Sequence, residues 1–172
     1  MQKTLETCNC VIAPSGRDPM KDEPTKVTGG CLCGNVRYEA QVFLKRGYYC
    51  HCRICQKSCG QPADISVPIK AGTLVFTKSK PKYYVSSQHG KRGFCSNCGS
   101  RLLWQAVDVQ NDWMTNVCIG SLDDSTEVEP SRHIFVETKL PWFKIDDTLP
   151  KLTQSETEAM VDVWRQERQP DK

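Results

Sequence analysis

The sequence predicts a mainly β fold, a small sheet domain followed by a C-terminal helix. From Gly29 onward, apolar and polar residues alternate with a period of two, which is typical of half-buried strands. Turn residues separate many short segments of this kind, and such spacing favours an all-β fold over alternating strands and helices. In addition, seven of the eleven cysteines fall into three short clusters whose spacing is typical of zinc ligands. The sheet domain is therefore predicted to be stabilised by zinc.

Residues 1–25 are predicted to form a flexible N-terminal lead, because prolines and a glycine interrupt a polar segment. Cys8 and Cys10 form a C-x-C pair there, but they have no matching pair nearby and are interpreted as spare thiols. The segment Met1–Lys26 lacks the apolar run of a secretory signal, and the chain has no apolar stretch long enough to span a bilayer. An intracellular, cytoplasmic location is expected, with a nuclear one as the alternative.

Residues 26–150 are predicted to form the zinc domain. Its clearest strand contains Val36, Tyr38, Ala40 and Val42, which alternate with polar residues. The further predicted strands are Ile65–Ile69, Thr73–Thr77, Lys82–Ser86, Leu102–Val109, Trp113–Ile119 and His133–Thr138. Cys118 lies within an apolar strand pattern and is interpreted as a small buried side chain.

Residues 151–172 are predicted to contain the C-terminal helix and a tail. Two overlapping stretches fit a capping box, namely Thr153–Glu156 and Ser155–Glu158. Three apolar residues would share one face of the helix: Met160, Val163 and Trp164. This helix is expected to pack on the sheet or to extend from it.

The first and third cysteine clusters predict a structural zinc site. The ligands would be the pairs Cys31 with Cys33 and Cys95 with Cys98. Four thiolates complete a tetrahedral zinc site, and neighbouring glycines let each pair turn toward one ion. The alternatives are two free pairs or a set of disulfides.

The middle cluster predicts a catalytic zinc site. Cys50, Cys52 and Cys55 supply three thiolates and leave one position open for water or for the thiolate of a substrate. The alternative is a second closed zinc site in which Cys59 or another group is the fourth ligand. His51 lies between two of these cysteines, where the backbone turns it away, and is expected outside the ligand set. An iron–sulfur cluster is disfavoured because no clear fourth cysteine completes this spacing.

The charge of the chain gives little support for nucleic-acid binding. Seven ligating thiolates and two zinc ions would bring the formal charge of +3 to about zero. A cationic stretch contains Lys78, Lys80, Lys82, Lys91 and Arg92. It is either a solvated face or a docking surface for an anionic substrate or polyanion.

Several ordered motifs carry a resemblance to a known family. They are Gly29–Tyr38, Cys50–Lys57, Phe94–Ser100, His133–Phe135, Leu140–Phe143 and Asp146–Pro150. Over about residues 26–150 the chain resembles the glutathione-dependent formaldehyde-activating enzyme family, which includes centromere protein V. Gln56 and Cys59 depart from the family pattern, since Gln56 removes a charge near the site and Cys59 adds a potential ligand or redox partner.

The resemblance implies a β-tent (Mss4-like) zinc fold with two zinc ions per chain. It implies that the outer pairs bind the structural zinc and that the Cys50, Cys52 and Cys55 triplet binds the catalytic one. The implied reaction joins glutathione and formaldehyde into S-(hydroxymethyl)glutathione, or reverses that step.

The leading hypothesis is a zinc-dependent carbon–sulfur lyase that acts on a glutathione-type thiol adduct. Arg53 and Lys57 would pair with substrate carboxylates. One alternative is a non-catalytic, zinc-stabilised module that binds chromatin or another polyanion. The other is a thiol or redox sensor that uses Cys59 with the triplet. The expected partner is a small thiol such as glutathione or its adduct, nucleic acid is not favoured, and no membrane partner is expected.

Overall fold

The computed structural model describes residues 23–107 and 114–167, so the Cys8 and Cys10 pair lies outside the described residues. The described residues form eleven strands: β1 (Thr25–Gly30), β2 (Arg37–Val42), β3 (Gly47–Cys50), β4 (Asp64–Pro68), β5 (Val75–Phe76), β6 (Lys82–Ser87), β7 (Gly90–Phe94), β8 (Arg101–Ala106), β9 (Thr115–Cys118), β10 (Pro130–Ile134) and β11 (Lys151–Leu152). They also form two α-helices, α1 (Arg53–Cys59) and α2 (Gln154–Glu167). The mainly β prediction with a C-terminal helix is confirmed.

The strands form two sheets. The small sheet has the order β1-β2-β5, and the large sheet has the order β11-β10-β3-β4-β9-β8-β7-β6. Most pairs are antiparallel, whereas β10 runs parallel to both β3 and β11. The chain segment from β3 to β4 carries the cysteine triplet and α1, so the triplet lies at the C-terminal end of β3, an interior strand of the large sheet.

The main hydrophobic core lies where one face of the large sheet meets the small sheet. Val67, Val117 and Leu103 are directly opposite one another on β4, β9 and β8, and all three are fully buried. Tyr38 and Val42 of β2 belong to the same buried cluster. The alternation predicted for β2 therefore identifies the face of β2 that packs in the core. The opposite face of the large sheet points away from the small sheet.

The predicted strand His133–Thr138 is wrong in its second half. β10 ends at Ile134, and Phe135 adopts a left-handed backbone conformation with φ of 57°. A short 3₁₀ helix then covers Val136–Thr138. Because a left-handed residue breaks the extended backbone, the apolar pattern continues here without a strand.

Helix α1 was not predicted from the sequence, and it begins inside the triplet motif. Cys52 is its N-cap residue, and its sulfur accepts a hydrogen bond from the backbone N–H of Cys55 at 3.3 Å. The helix ends at Gly60, whose left-handed φ of 68° is typical of a helix C-terminus. The cap is a thiol instead of the usual hydroxyl or carboxylate, which explains why the helix signal is weak.

Helix α2 confirms the C-terminal helix and uses the first of the two capping boxes. The Thr153 N–H donates to the Glu156 carboxylate at 2.8 Å, and the Glu156 N–H donates to the Thr153 hydroxyl at 3.4 Å. Met160 packs against the buried group that contains the triplet cysteines. Val163, which was predicted to share a helix face with Met160, is 51% exposed. No helix in the described parts of the chain is both long and apolar enough to cross a membrane.

Candidate functional site

The first candidate metal centre is the outer cysteine cluster, which joins the turn after β1 to the turn after β7. Its four sulfur atoms all lie within 4.8 Å of one another: Cys31, Cys33, Cys95 and Cys98. The backbone N–H of Val36 donates to the Cys31 sulfur at 3.2 Å. The Ser100 hydroxyl helps to lower the pKa of Cys98 to about 5, which favours a thiolate. Four converging sulfurs are the donor set of a structural zinc site, and they fit that ion.

The second candidate centre is the triplet at the end of β3 and the start of α1. The sulfurs of Cys50, Cys52 and Cys55 also lie within 4.8 Å of one another. Hydrogen bonds from Cys50 and then Cys55 lower the pKa of Cys52 to about 3. The hydrogen bonds that Cys50 makes to Cys52 and Cys55 raise the pKa of Cys50 well above its ordinary value. Three converging sulfurs, one of them already a thiolate, also fit a zinc ion.

The third thiol of the triplet is held protonated at neutral pH. A hydrogen bond from Cys50 lowers the pKa of Cys55, but the bond that Cys55 makes to Cys52 and its burial raise that pKa overall. The metal-free triplet therefore contains one thiolate and two thiols. Zinc binds cysteine as the thiolate, so loading this site must release protons.

The other two cysteines that the sequence singled out lie apart from both clusters. The Cys59 thiol points to backbone carbonyl oxygens, 3.8 Å from that of Gln56 and 3.8 Å from that of Ala63. It is not one of the three clustered sulfurs. Cys118 is half-buried at the end of β9, and burial raises the pKa of its thiol to about 12. Burial also raises the pKa of the Cys59 thiol, so both thiols are poor nucleophiles at neutral pH.

His51 is buried next to the triplet and belongs to a chain of polar side chains. Its Nε2 lies 2.8 Å from Nδ1 of His133, and Nε2 of His133 lies 2.9 Å from the Asp147 carboxylate. Burial lowers the pKa of His51 to about 4, so the ring is neutral. His51 thus points away from the sulfurs and fastens the triplet to β10 and the loop that follows it.

Gln56, one of the departures from the family pattern, holds the triplet backbone. Its side-chain nitrogen donates to the carbonyl oxygens of His51 at 2.5 Å and Thr138 at 3.0 Å. A buried amide that bridges two carbonyls needs no counter-ion, which explains how the site accommodates an uncharged residue here.

A cavity of about 1060 Å³ opens over the triplet. Its floor is the second face of the large sheet, where register places Cys50 opposite Asp64, and Trp104 between Asn116 and Arg92. Helix α2 forms another wall of the cavity. A cavity of this volume is large enough for a small organic ligand or a short peptide.

Arg92 is a cation in direct contact with the triplet and was not recognised as a site residue from the sequence. It is only 6% exposed, and its Nη2 donates to the Cys55 sulfur at 3.3 Å. Of the two alternatives for the cationic stretch, the solvated face is therefore wrong for Arg92, because its guanidinium lies inside the cavity. In a strand, Lys91 and Arg92 point to opposite faces, so only one of them can face solvent. This signal was available in the sequence, but the glycines on either side hide the strand pattern of β7.

Only one of the two cations predicted to pair with substrate carboxylates lines the triplet cavity. Arg53 lines both this cavity and a smaller pocket of about 260 Å³ beside Trp142, whereas Lys57 lines only the smaller pocket. Lys57 is thus not positioned to contact a ligand in the triplet cavity.

Comparison with known proteins gives a consistent result. Residues 26–138 match the family model described as glutathione-dependent formaldehyde-activating enzyme. A Schizosaccharomyces pombe protein named as an uncharacterized lyase is 27% identical over 88 residues, which are 51% of this chain and 64% of that protein. A Halomonas elongata protein named as a glutathione-dependent formaldehyde-activating enzyme is 29% identical over 129 residues, which are 69% of this chain and 80% of that protein. A crystal structure of a Rhodobacter sphaeroides protein aligns at 18% identity with a TM-score of 0.47, and covers 73% of this chain and 99% of that one.

Proposed function

The chain belongs to the glutathione-dependent formaldehyde-activating enzyme family, and on that premise we propose that it is a zinc-dependent carbon–sulfur lyase. Its substrate would be a glutathione-type thiol adduct such as S-(hydroxymethyl)glutathione. The observation that carries this proposal is a cluster of three thiols, Cys50, Cys52 and Cys55, in the wall of a cavity large enough for such a molecule.

The two cysteine clusters divide the proposed roles between them. The outer four cysteines would hold a structural zinc, because four sulfurs leave no position for a substrate. The triplet would hold a second zinc, which when bound supplies a Lewis acid and a coordination position for a thiol sulfur.

The cavity residues would bind the adduct and protect it from bulk water. Arg92 places a positive charge beside the Cys55 sulfur, where it stabilises negative charge on neighbouring sulfurs. Arg53 lines the same cavity and would pair with a substrate carboxylate. Met160 of α2 packs against the buried group that contains the triplet and would limit the access of water.

The reaction itself is balanced without a redox partner. In the cleavage direction, the carbon–sulfur bond breaks and its electron pair passes to sulfur. The hydroxyl group of the adduct loses its proton and becomes the carbonyl of formaldehyde, and the free thiol takes up one proton. The reverse direction forms the same bond from thiol and aldehyde.

The test compares the zinc-loaded protein with two single variants. Exchange between formaldehyde, glutathione and S-(hydroxymethyl)glutathione is followed by NMR exchange spectroscopy. The wild type and Cys59→Ala are expected to accelerate exchange above the uncatalysed rate, because Cys59 lies outside the cluster. The exchange rate of Cys52→Ala is expected to be lower than that of the wild type by at least about 100-fold, as is typical when a group that positions the reacting atoms is removed. Exchange at the uncatalysed rate in the wild type, or equal rates in Cys52→Ala, would contradict the proposal.

A further inference from the structure

Asn116 is a buried side chain whose hydrogen-bonding groups lack a protein partner. It lies on β9 in the middle of the large sheet and is 1% exposed. Its amide nitrogen and its carbonyl oxygen are both buried, and neither has a hydrogen-bond partner in the described parts of the chain. Buried polar groups are normally paired, and leaving a donor and an acceptor unpaired carries a desolvation penalty.

The position of Asn116 links it to the triplet cavity. Asn116 lies directly opposite Trp104 on β8, and Trp104 lies directly opposite Arg92 on β7. Because directly opposed residues point to the same face of a sheet, these three side chains form one row, and all three line the cavity. Arg92, at the other end of the row, contacts the Cys55 sulfur.

A second unpaired donor lies in the same row. Nε of Arg92 is buried and also has no hydrogen-bond partner among the described residues, although the two terminal nitrogens of this side chain bond to Ser86 and Cys55. The row therefore holds one unpaired acceptor and two kinds of unpaired donor, all buried, on side chains that line the cavity above the thiols. Such a set is matched by a ligand that carries its own donor and acceptor.

We propose that Asn116 binds a peptide amide of the thiol substrate and thereby selects cysteinyl peptides over simple thiols. A carboxamide side chain can accept from the amide N–H and donate to the amide carbonyl at the same time, so the two groups are complementary. This inference rests on the proposed function only for the nature of the ligand, a thiol or thiol adduct. Asn116 is a substrate-binding residue in this proposal and takes no part in bond cleavage.

Two substitutions separate the contributions of the hydrogen-bond acceptor and the hydrogen-bond donor of Asn116. Asn116→Leu keeps the approximate size and removes both polar groups, whereas Asn116→Asp keeps the acceptor and loses the donor. Since Asn116 has no partner to lose, the leucine variant should melt at the same temperature as the wild type or slightly higher. If Asn116 had a structural role, the leucine variant would instead melt at a lower temperature than the wild type. The melting temperature therefore distinguishes a binding role from a structural one.

The binding test uses the zinc-loaded full chain and isothermal titration calorimetry with two probes, glutathione and 2-mercaptoethanol. Asn116→Leu is expected to weaken glutathione binding by roughly 10- to 100-fold, the usual effect of losing hydrogen bonds in a buried site. Binding of 2-mercaptoethanol, which has no amide, should stay within about twofold. Asn35→Ala is the matched control, because Asn35 is exposed and its side chain bonds to Ser79.

Each outcome of the titration decides the inference. Unchanged glutathione binding in Asn116→Leu would overturn it, and so would an equal loss for both thiols or a wild type that does not bind glutathione. A wild type that binds glutathione in an Asn116-dependent way but does not exchange formaldehyde would refute the lyase proposal and leave this inference standing.

Discussion

Zinc affinity at the triplet should rise steeply with pH, because two of its three thiols are protonated in the metal-free protein. Hydrogen bonding and burial raise the pKa of Cys50 and Cys55, whereas Cys52, with a pKa of about 3, is already a thiolate at neutral pH. Zinc binds thiolates, so its binding must displace about two protons. Each displaced proton makes the affinity tenfold stronger per pH unit, and the two together predict a change of about 100-fold for each unit of pH increase.

The assay is competition with a zinc chelator of known affinity near neutral pH. Calorimetry in buffers of different ionisation enthalpy counts the released protons directly. The Cys52→Ala variant lacks a complete triplet and serves as the reference for zinc bound at the outer cluster. A pH-independent affinity, or release of fewer than about one proton after subtraction of the reference, would refute the assignment of protonated Cys50 and Cys55.

Two predictions concern the stability of the cavity floor. Arg101 forms a buried ion pair with Asp64. Arg101→Met should lower the free energy of unfolding by about 3–5 kcal/mol, because the Asp64 carboxylate stays buried without its partner. Urea denaturation that shows a loss below about 1 kcal/mol would contradict this prediction. A Cβ at Gly90 would lie 2.2 Å from Trp104 Nε1, so Gly90→Ala should cost about 1–3 kcal/mol in the same assay, whereas Gly120→Ala, with open space around it, should be close to neutral. Equal stabilities of the two alanine variants would show that Trp104 moves aside freely.

The spacing of the cysteines was sufficient to predict which sulfurs meet. A C-x-C or C-x-x-C pair followed by glycine leaves few backbone paths, and the pairs that begin at Cys31 and Cys95 converge as expected. Strand β2, whose polar and apolar residues alternate without a break, was also predicted, because every second residue of it is buried in the core. Local sequence determines the turn within each cysteine pair and the alternation of this strand, so short segments are enough to predict them.

The cavity residues could not be predicted in the same way. Arg92 and Asn116 share a face only because β7, β8 and β9 pair in one register, and that register depends on contacts distant in sequence. The glycines of β7 obscure its alternation, so Arg92 resembles a surface cation in the sequence. The end of β10 was misjudged because nothing in the apolar pattern marks the left-handed conformation of Phe135.

The central claim is that the triplet holds a second zinc ion beside the structural one. The most direct test is the metal content per chain, measured by elemental mass spectrometry on protein purified without chelators or added zinc. This account predicts two zinc ions in the wild type and one in Cys52→Ala, which should remain folded because the outer cluster is intact. One zinc ion in both proteins would show that the triplet holds no zinc, and would contradict the account.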